Sequence, residues 1–122
     1  MRIGVIRRLF RVMTWCCVFI LGVLSLLPAA EMVRTDLPGG FEHFIAYAGS
    51  AAIAMAGYGG TYRGARIIGF FCVYAGILEY LQHYSPGRHP ALADFALSAL
   101  GALCGGLAIG LVRNRWPTLL PR

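Results

Sequence analysis

Residues 95 to 112, Phe-Ala-Leu-Ser-Ala-Leu-Gly-Ala-Leu-Cys-Gly-Gly-Leu-Ala-Ile-Gly-Leu-Val (FALSALGALCGGLAIGLV), contain no charged side chain. The hydrocarbon core of a bilayer is about 30 Å thick, so a helix rising about 1.5 Å per residue needs roughly 20 mostly apolar residues to cross it. This run nearly suffices alone, and its small residues indicate how it packs. Gly101 and Gly105 are spaced as GxxxG, while Ser98, Ala102, Gly106 and Gly110 continue at four-residue intervals. On a helix such spacings form stripes on which a second backbone can settle closely. A soluble helix of this composition would have no polar face for water. The stretch therefore reads as a membrane-spanning helix with helical neighbours.

The rest of the chain fits that reading. Of its 122 residues 58% are apolar and 13% charged, with a mean hydropathy of +0.67. A soluble domain of this length needs more polar surface. Three further apolar segments are Val12 to Ala30, Phe44 to Gly60 and a third from Ile67 that reaches full length only by carrying Glu79 and Gln82. The predicted fold is all-α: a polytopic membrane protein, one domain over 1–122, with four transmembrane helices at about 12–30, 41–60, 65–84 and 90–112. The first segment also resembles a signal peptide, with Pro28-Ala29-Ala30 as a cleavage site. Its apolar run exceeds the usual h-region of about 7 to 15 residues, which favours a retained helix.

Charge gives the expected orientation. All eleven basic residues are arginines. Arg2, Arg7, Arg8, Arg11, Arg63, Arg66, Arg113, Arg115 and Arg122 fall on one side of the four spans, and only Arg34 and Arg88 on the other. The positive-inside rule then puts both termini in the cytoplasm. The five acids, Glu31, Asp36, Glu42, Glu79 and Asp94, and the three histidines all fall toward the opposite side. Arginines grouped between apolar runs also exclude a nucleic-acid partner, whose binding face would interleave basic, polar and aromatic residues. Cys16, Cys17, Cys72 and Cys104 lie within spans and lack metal-ligand spacing, so they read as small packing residues.

The candidate site is the outer polar cluster: His43, Tyr47, Glu79, Gln82, Arg88 and Asp94. His43 and Tyr47 are four apart on one helical face, and Glu79 and Gln82 three apart on another. Pro86-Gly87 ends the third helix and Pro90 suits the start of the fourth, which brings Arg88 over the mouth of the bundle. A carboxylate inside a spanning segment costs a few kcal/mol unless it finds a partner or water. Two roles are open to the cluster. Arg88 can be held by Glu79 or Asp94 and the Gln82 amide, which fixes the turn. Alternatively the same groups form a pocket in which Arg88 grips a phosphate or carboxylate while Glu79 and His43 supply hydrogen bonds or move protons. There is no HExxH, GxSxG elbow, P-loop or dinucleotide fingerprint, and no metal or cofactor is expected.

In order along the chain, Glu42-His-Phe-Ile-Ala-Tyr47, Leu78-Glu-Tyr-Leu-Gln82, Pro86-Gly-Arg88, Asp94 and the Gly101 to Gly106 run resemble the VanZ-like family. Its pattern is His-Phe-x-x-Tyr at a helix start, Glu-x-x-Gln, a Pro-x-Arg turn, and Asp before a glycine-rich helix. The resemblance covers roughly residues 37 to 112. Gly39-Gly40 and Ser98 stand here where relatives often carry Asp-Lys and Asn. The resemblance implies a multi-pass protein of the bacterial cytoplasmic membrane, in a family whose founding member is linked to teicoplanin resistance. It singles out the same six residues. The partners expected are the bilayer, an envelope lipid or lipid-linked precursor, and a second copy through the GxxxG faces.

Overall fold

A computed structural model describes residues 2–32 and 35–121; Arg34 and Arg122, counted above for orientation, lie outside the described residues. Among the described residues the chain is all-helical. Helix α1 spans Arg2–Leu26, α2 Phe41–Tyr58, α3 Gly64–Leu81 and α4 Leu92–Arg115, with short 3-10 turns at Ala29–Glu31 and Gln82–Tyr84. Helix α1 begins at Arg2 rather than at Val12, because the arginine-bearing stretch has no helix breaker before Leu27-Pro28. It stops short of Ala30 for the same reason: proline cannot continue the hydrogen-bond ladder.

The four helices run alternately up and down. At one end Ala29 donates its N–H to the carbonyl of Pro86 (3.0 Å), and the Ser85 hydroxyl donates to the carbonyl of Leu26 (2.9 Å). At the other end Arg11 of α1 and Arg113 of α4 both reach the C-terminus of α2. Three helical stretches, Arg2–Leu26, Gly64–Tyr84 and Leu92–Arg115, are long and apolar enough to cross a membrane. Their outward faces carry bare apolar side chains such as Phe19, Val73 and Leu111, a surface suited to hydrocarbon rather than water. Helix α2 falls outside that group. Glu42, His43 and many small side chains lower its apolar content, and it is the most enclosed helix, burying Tyr47, Ser50, Ala51, Ala54, Met55, Ala56 and Gly57.

The most extensive contact is α2 against α4, and the glycine stripe makes it possible. A side chain at Gly101 would collide with the backbone of Phe44, and one at Gly105 with that of Ala48. Both GxxxG glycines are thus used within the chain, while Gly110 faces open space. Helix α1 crosses α2 almost as tightly, since a Cβ on Gly57 would lie 3.1 Å from the backbone of Phe10 and Arg11. In α2 the four-residue line of Ala46, Ser50 and Ala54 is only partly inward: Ser50 and Ala54 are buried, while Ala46 and the neighbouring Gly49 are exposed. Phe71 of α3, fully buried, fills the centre with Tyr47 set edge-on to it at 6.5 Å.

The last four carbonyls of a helix have no partner within it. In α2 each is satisfied from elsewhere. Met55 accepts from the Gly59 N–H and from Arg113, Ala56 also accepts from Arg113, Gly57 accepts from Arg11 Nε at 3.0 Å, and Tyr58 accepts from Thr61 and Tyr62. Two of the arginines counted for orientation therefore also cap the central helix, where cations meet the negative end of its dipole.

Candidate functional site

The end holding the acids is built by three local devices. The first is Gly40, the residue before α2, which takes a left-handed conformation at φ 88°. Any side chain there would run into Leu97 and sit 3.7 Å from the Asp94 carboxylate. A bare Cα lets the first turns of α2 and α4 meet. His43, in the first turn of α2, then lies with Nδ1 3.3 Å from the hydroxyl of Ser98, itself 2% exposed. That contact fixes the imidazole ring.

The second device is a tight turn. Ser85-Pro86-Gly87-Arg88 closes with the Arg88 N–H donated to the Ser85 carbonyl at 3.2 Å, proline at the second position and Gly87 at φ 74° in the third. These are the requirements of a type II turn. Gly87 lies against Ala29, and Ser85 and Pro86 are tied to the end of α1 as described. The turn therefore delivers Arg88 to the seam between α1 and α2, not to the α3–α4 side.

The third device is the segment before α2. Glu42 accepts the N–H of Thr35 at 3.0 Å and a hydrogen bond from the Thr35 hydroxyl. This draws the connection over the helix start and holds Glu42 beside His43.

Together these place His43, Tyr47, Glu42 and Arg88 around one cavity of about 130 Å³, walled by Leu21 and Leu24 of α1. The Arg88 guanidinium touches the Met32 sulfur. Among the described residues no carboxylate lies within ion-pairing distance of it, so neither Glu79 nor Asp94 holds Arg88.

The six residues expected at the site do not share one cavity. His43, Tyr47 and Arg88 do. Glu79 accepts the N–H of Ala91 at 2.7 Å, immediately before α4, and lines a separate shallow groove with Tyr80, His83 and Phe95. Gln82 is buried in the 3-10 turn, at 4% exposure. Asp94, half-buried in the first turn of α4, faces Gly40, where two helix N-termini favour a negative charge. Gln82 and Asp94 line neither space. His83 and His89 are exposed, with His83 Nδ1 2.8 Å from the carbonyl of Tyr80.

Glu42 is the ionisable lining residue of this pocket that lies outside the expected set. The signal for it is its position directly before His43 in Glu-His-Phe-Ile-Ala-Tyr, but a first-turn acid is also an ordinary helix start. Chemically the pocket offers a guanidinium, an imidazole, a phenol and a carboxylate against an apolar wall. Its volume admits a small anionic group, with the remainder of any ligand outside. No family model, curated protein or solved structure matches this chain.

Proposed function

We propose that this is a multi-pass protein of the bacterial cytoplasmic membrane, with all four helices spanning and both termini in the cytoplasm. In this reading its outer-end pocket binds the anionic headgroup of an envelope lipid or lipid-linked intermediate. The observation that carries the proposal is Arg88: a guanidinium with no carboxylate partner among the described residues, aimed into a cavity beside His43 and Tyr47. Holding a half-buried guanidinium with no counter-ion is costly, which a bound anion would offset. Arginine suits phosphate and carboxylate because its planar fork donates two hydrogen bonds at once. His43, oriented by Ser98, adds a hydrogen-bonding group to the same anion, and Leu21 and Leu24 lie where the apolar part of a lipid would begin. The sequence resemblance to VanZ-like proteins, three of whose six singled-out residues line this pocket, extends the proposal to glycopeptide susceptibility.

The test is to purify the full chain from bacterial membranes and identify co-purifying lipids by mass spectrometry, alongside teicoplanin susceptibility of the producing cells. Arg88→Gln is expected to leave the protein at normal abundance in the membrane while removing the bound anionic lipid and any shift in susceptibility, with Arg88→Lys retaining part of both. Unchanged lipid content in Arg88→Gln overturns the proposal.

A further inference from the structure

The opposite end of the bundle holds a second space with different chemistry. Between α1, α2 and α3 lies a cavity of about 300 Å³, lined by Trp15, Val18, Phe70 and Phe71 with Tyr58 and Tyr62 toward its mouth. Its walls are almost entirely apolar, and its one charged lining residue is Arg66. Arg11, close by, is already committed: it bonds the Gly57 carbonyl and the Thr61 hydroxyl, and its guanidinium lies 4.7 Å from the centre of the Tyr58 ring. Arg66 is exposed, and its guanidinium has no hydrogen-bond or ion-pair partner among the described residues. Every acid of the chain lies toward the other end, so nothing nearby competes for that charge. The Trp15 indole N–H is bonded to the Tyr58 hydroxyl at 2.8 Å, which holds the two amphipathic rings together at the mouth.

An apolar space lined by one uncommitted cation matches an amphiphile carrying a negative head. We infer that this groove is a binding site for an anionic phospholipid of the arginine-rich leaflet, with one acyl chain between α1 and α3 and the phosphate on Arg66. The bilayer itself supplies such a ligand, because anionic headgroups concentrate at basic surfaces of membrane proteins. Tyrosine and tryptophan belong at that depth, with one side apolar and the other polar. The site is distinct from the Arg88 pocket and depends on none of its residues.

Trp15 reports directly on occupancy. The chain has two tryptophans, so Trp116→Phe leaves Trp15 as the sole tryptophan, which is excited selectively at the red edge, where tyrosine does not absorb. The full chain is reconstituted in phosphatidylcholine vesicles containing equal fractions of acyl-brominated phosphatidylglycerol or acyl-brominated phosphatidylcholine. The anionic bromolipid is expected to quench Trp15 with about a fivefold preference, the scale that one arginine provides at an anionic membrane surface. Arg66→Gln should abolish the preference and Arg66→Lys should keep it. Arg63→Gln, on an exposed residue outside the groove, should also keep it. Equal quenching by the two lipids in the unsubstituted chain overturns the proposal whatever the variants do. An equal loss in Arg63→Gln and Arg66→Gln overturns it too, because the attraction would then belong to the surface as a whole. Arg88→Gln should leave the preference intact, so the two sites stand or fall separately.

Discussion

Glu79 shows how one side chain can look like an ionic partner in the sequence and act differently in the fold. A carboxylate late in a spanning helix is expected to pair with Arg88 or to exchange protons, yet its nearest donor is the backbone N–H of Ala91 at 2.7 Å. That N–H opens α4 and has no partner inside the helix, so Glu79 satisfies it from across the turn. The role requires an acceptor but no charge. Glu79→Gln is therefore expected to fold like the unsubstituted chain, whereas Glu79→Ala, which strands the N–H, should cost about 1–3 kcal/mol. Stability toward denaturing detergent, measured on the purified protein, separates the two. Equal destabilisation by both variants would return Glu79 to an ionic role. The turn before Arg88 is legible from sequence because Pro86-Gly87 suits one turn type, but the α1–α2 seam on which Arg88 lies is not, since local spacing does not say which helix the turn packs against. The Glu79–Ala91 bond is not legible either, since it depends on a distance across a connection that residue spacing does not give.

At the scale of elements, the glycines of α4 separate into those that a neighbour requires and those it does not. Gly101 and Gly105 lie against the backbone of α2, which cannot swing aside as a flexible side chain can. Gly105→Ala should therefore force α2 and α4 apart, costing about 1–3 kcal/mol, the range for overpacking a filled interior. At Gly110 a methyl group would meet nothing within 4 Å, so Gly110→Ala should be neutral or stabilising by up to about 1 kcal/mol through helix propensity. Detergent-unfolding midpoints of the two variants test this, and equal effects would count against the close α2–α4 packing. The existence of four helices is readable from hydrophobic runs, and the GxxxG spacing points to a close contact. The partner on that face is not readable, because a stripe of small residues serves an intramolecular and an intermolecular neighbour equally well. The early start of α1 at Arg2 escapes a hydropathy reading for another reason: apolar length measures the part of a helix in hydrocarbon, while the helix itself continues into the arginines.

For the whole molecule, the decisive feature is that charge is sorted by end. Among the described residues, the arginines of the α1 N-terminus, the α2–α3 connection and the α4 C-terminus share one end, and Glu31, Asp36, Glu42, Glu79 and Asp94 share the other with Arg88. Antiparallel packing imposes this sorting on the folded chain, and in the orientation proposed above the arginine end faces the cytoplasm. Helix α2 is the critical element, because its own composition does not mark it as a span. Its 18 residues extend about 27 Å, close to the thickness of the hydrocarbon core. It also lies antiparallel to α1 with its C-terminus held by Arg11 and Arg113 at the arginine end. In the reading proposed above, a helix placed so crosses wherever its neighbours cross, with the face that carries Tyr47, Ser50, Ala51 and Ala54 packed against them. With the four native cysteines replaced, Asp36→Cys should react with a membrane-impermeant maleimide on intact cells, and Arg63→Cys only after permeabilisation. Labelling of both positions from outside would mean that α2 does not cross. The reverse pattern would invert the protein and put the Arg88 pocket on the cytoplasmic face, away from any envelope intermediate exposed at the outer surface.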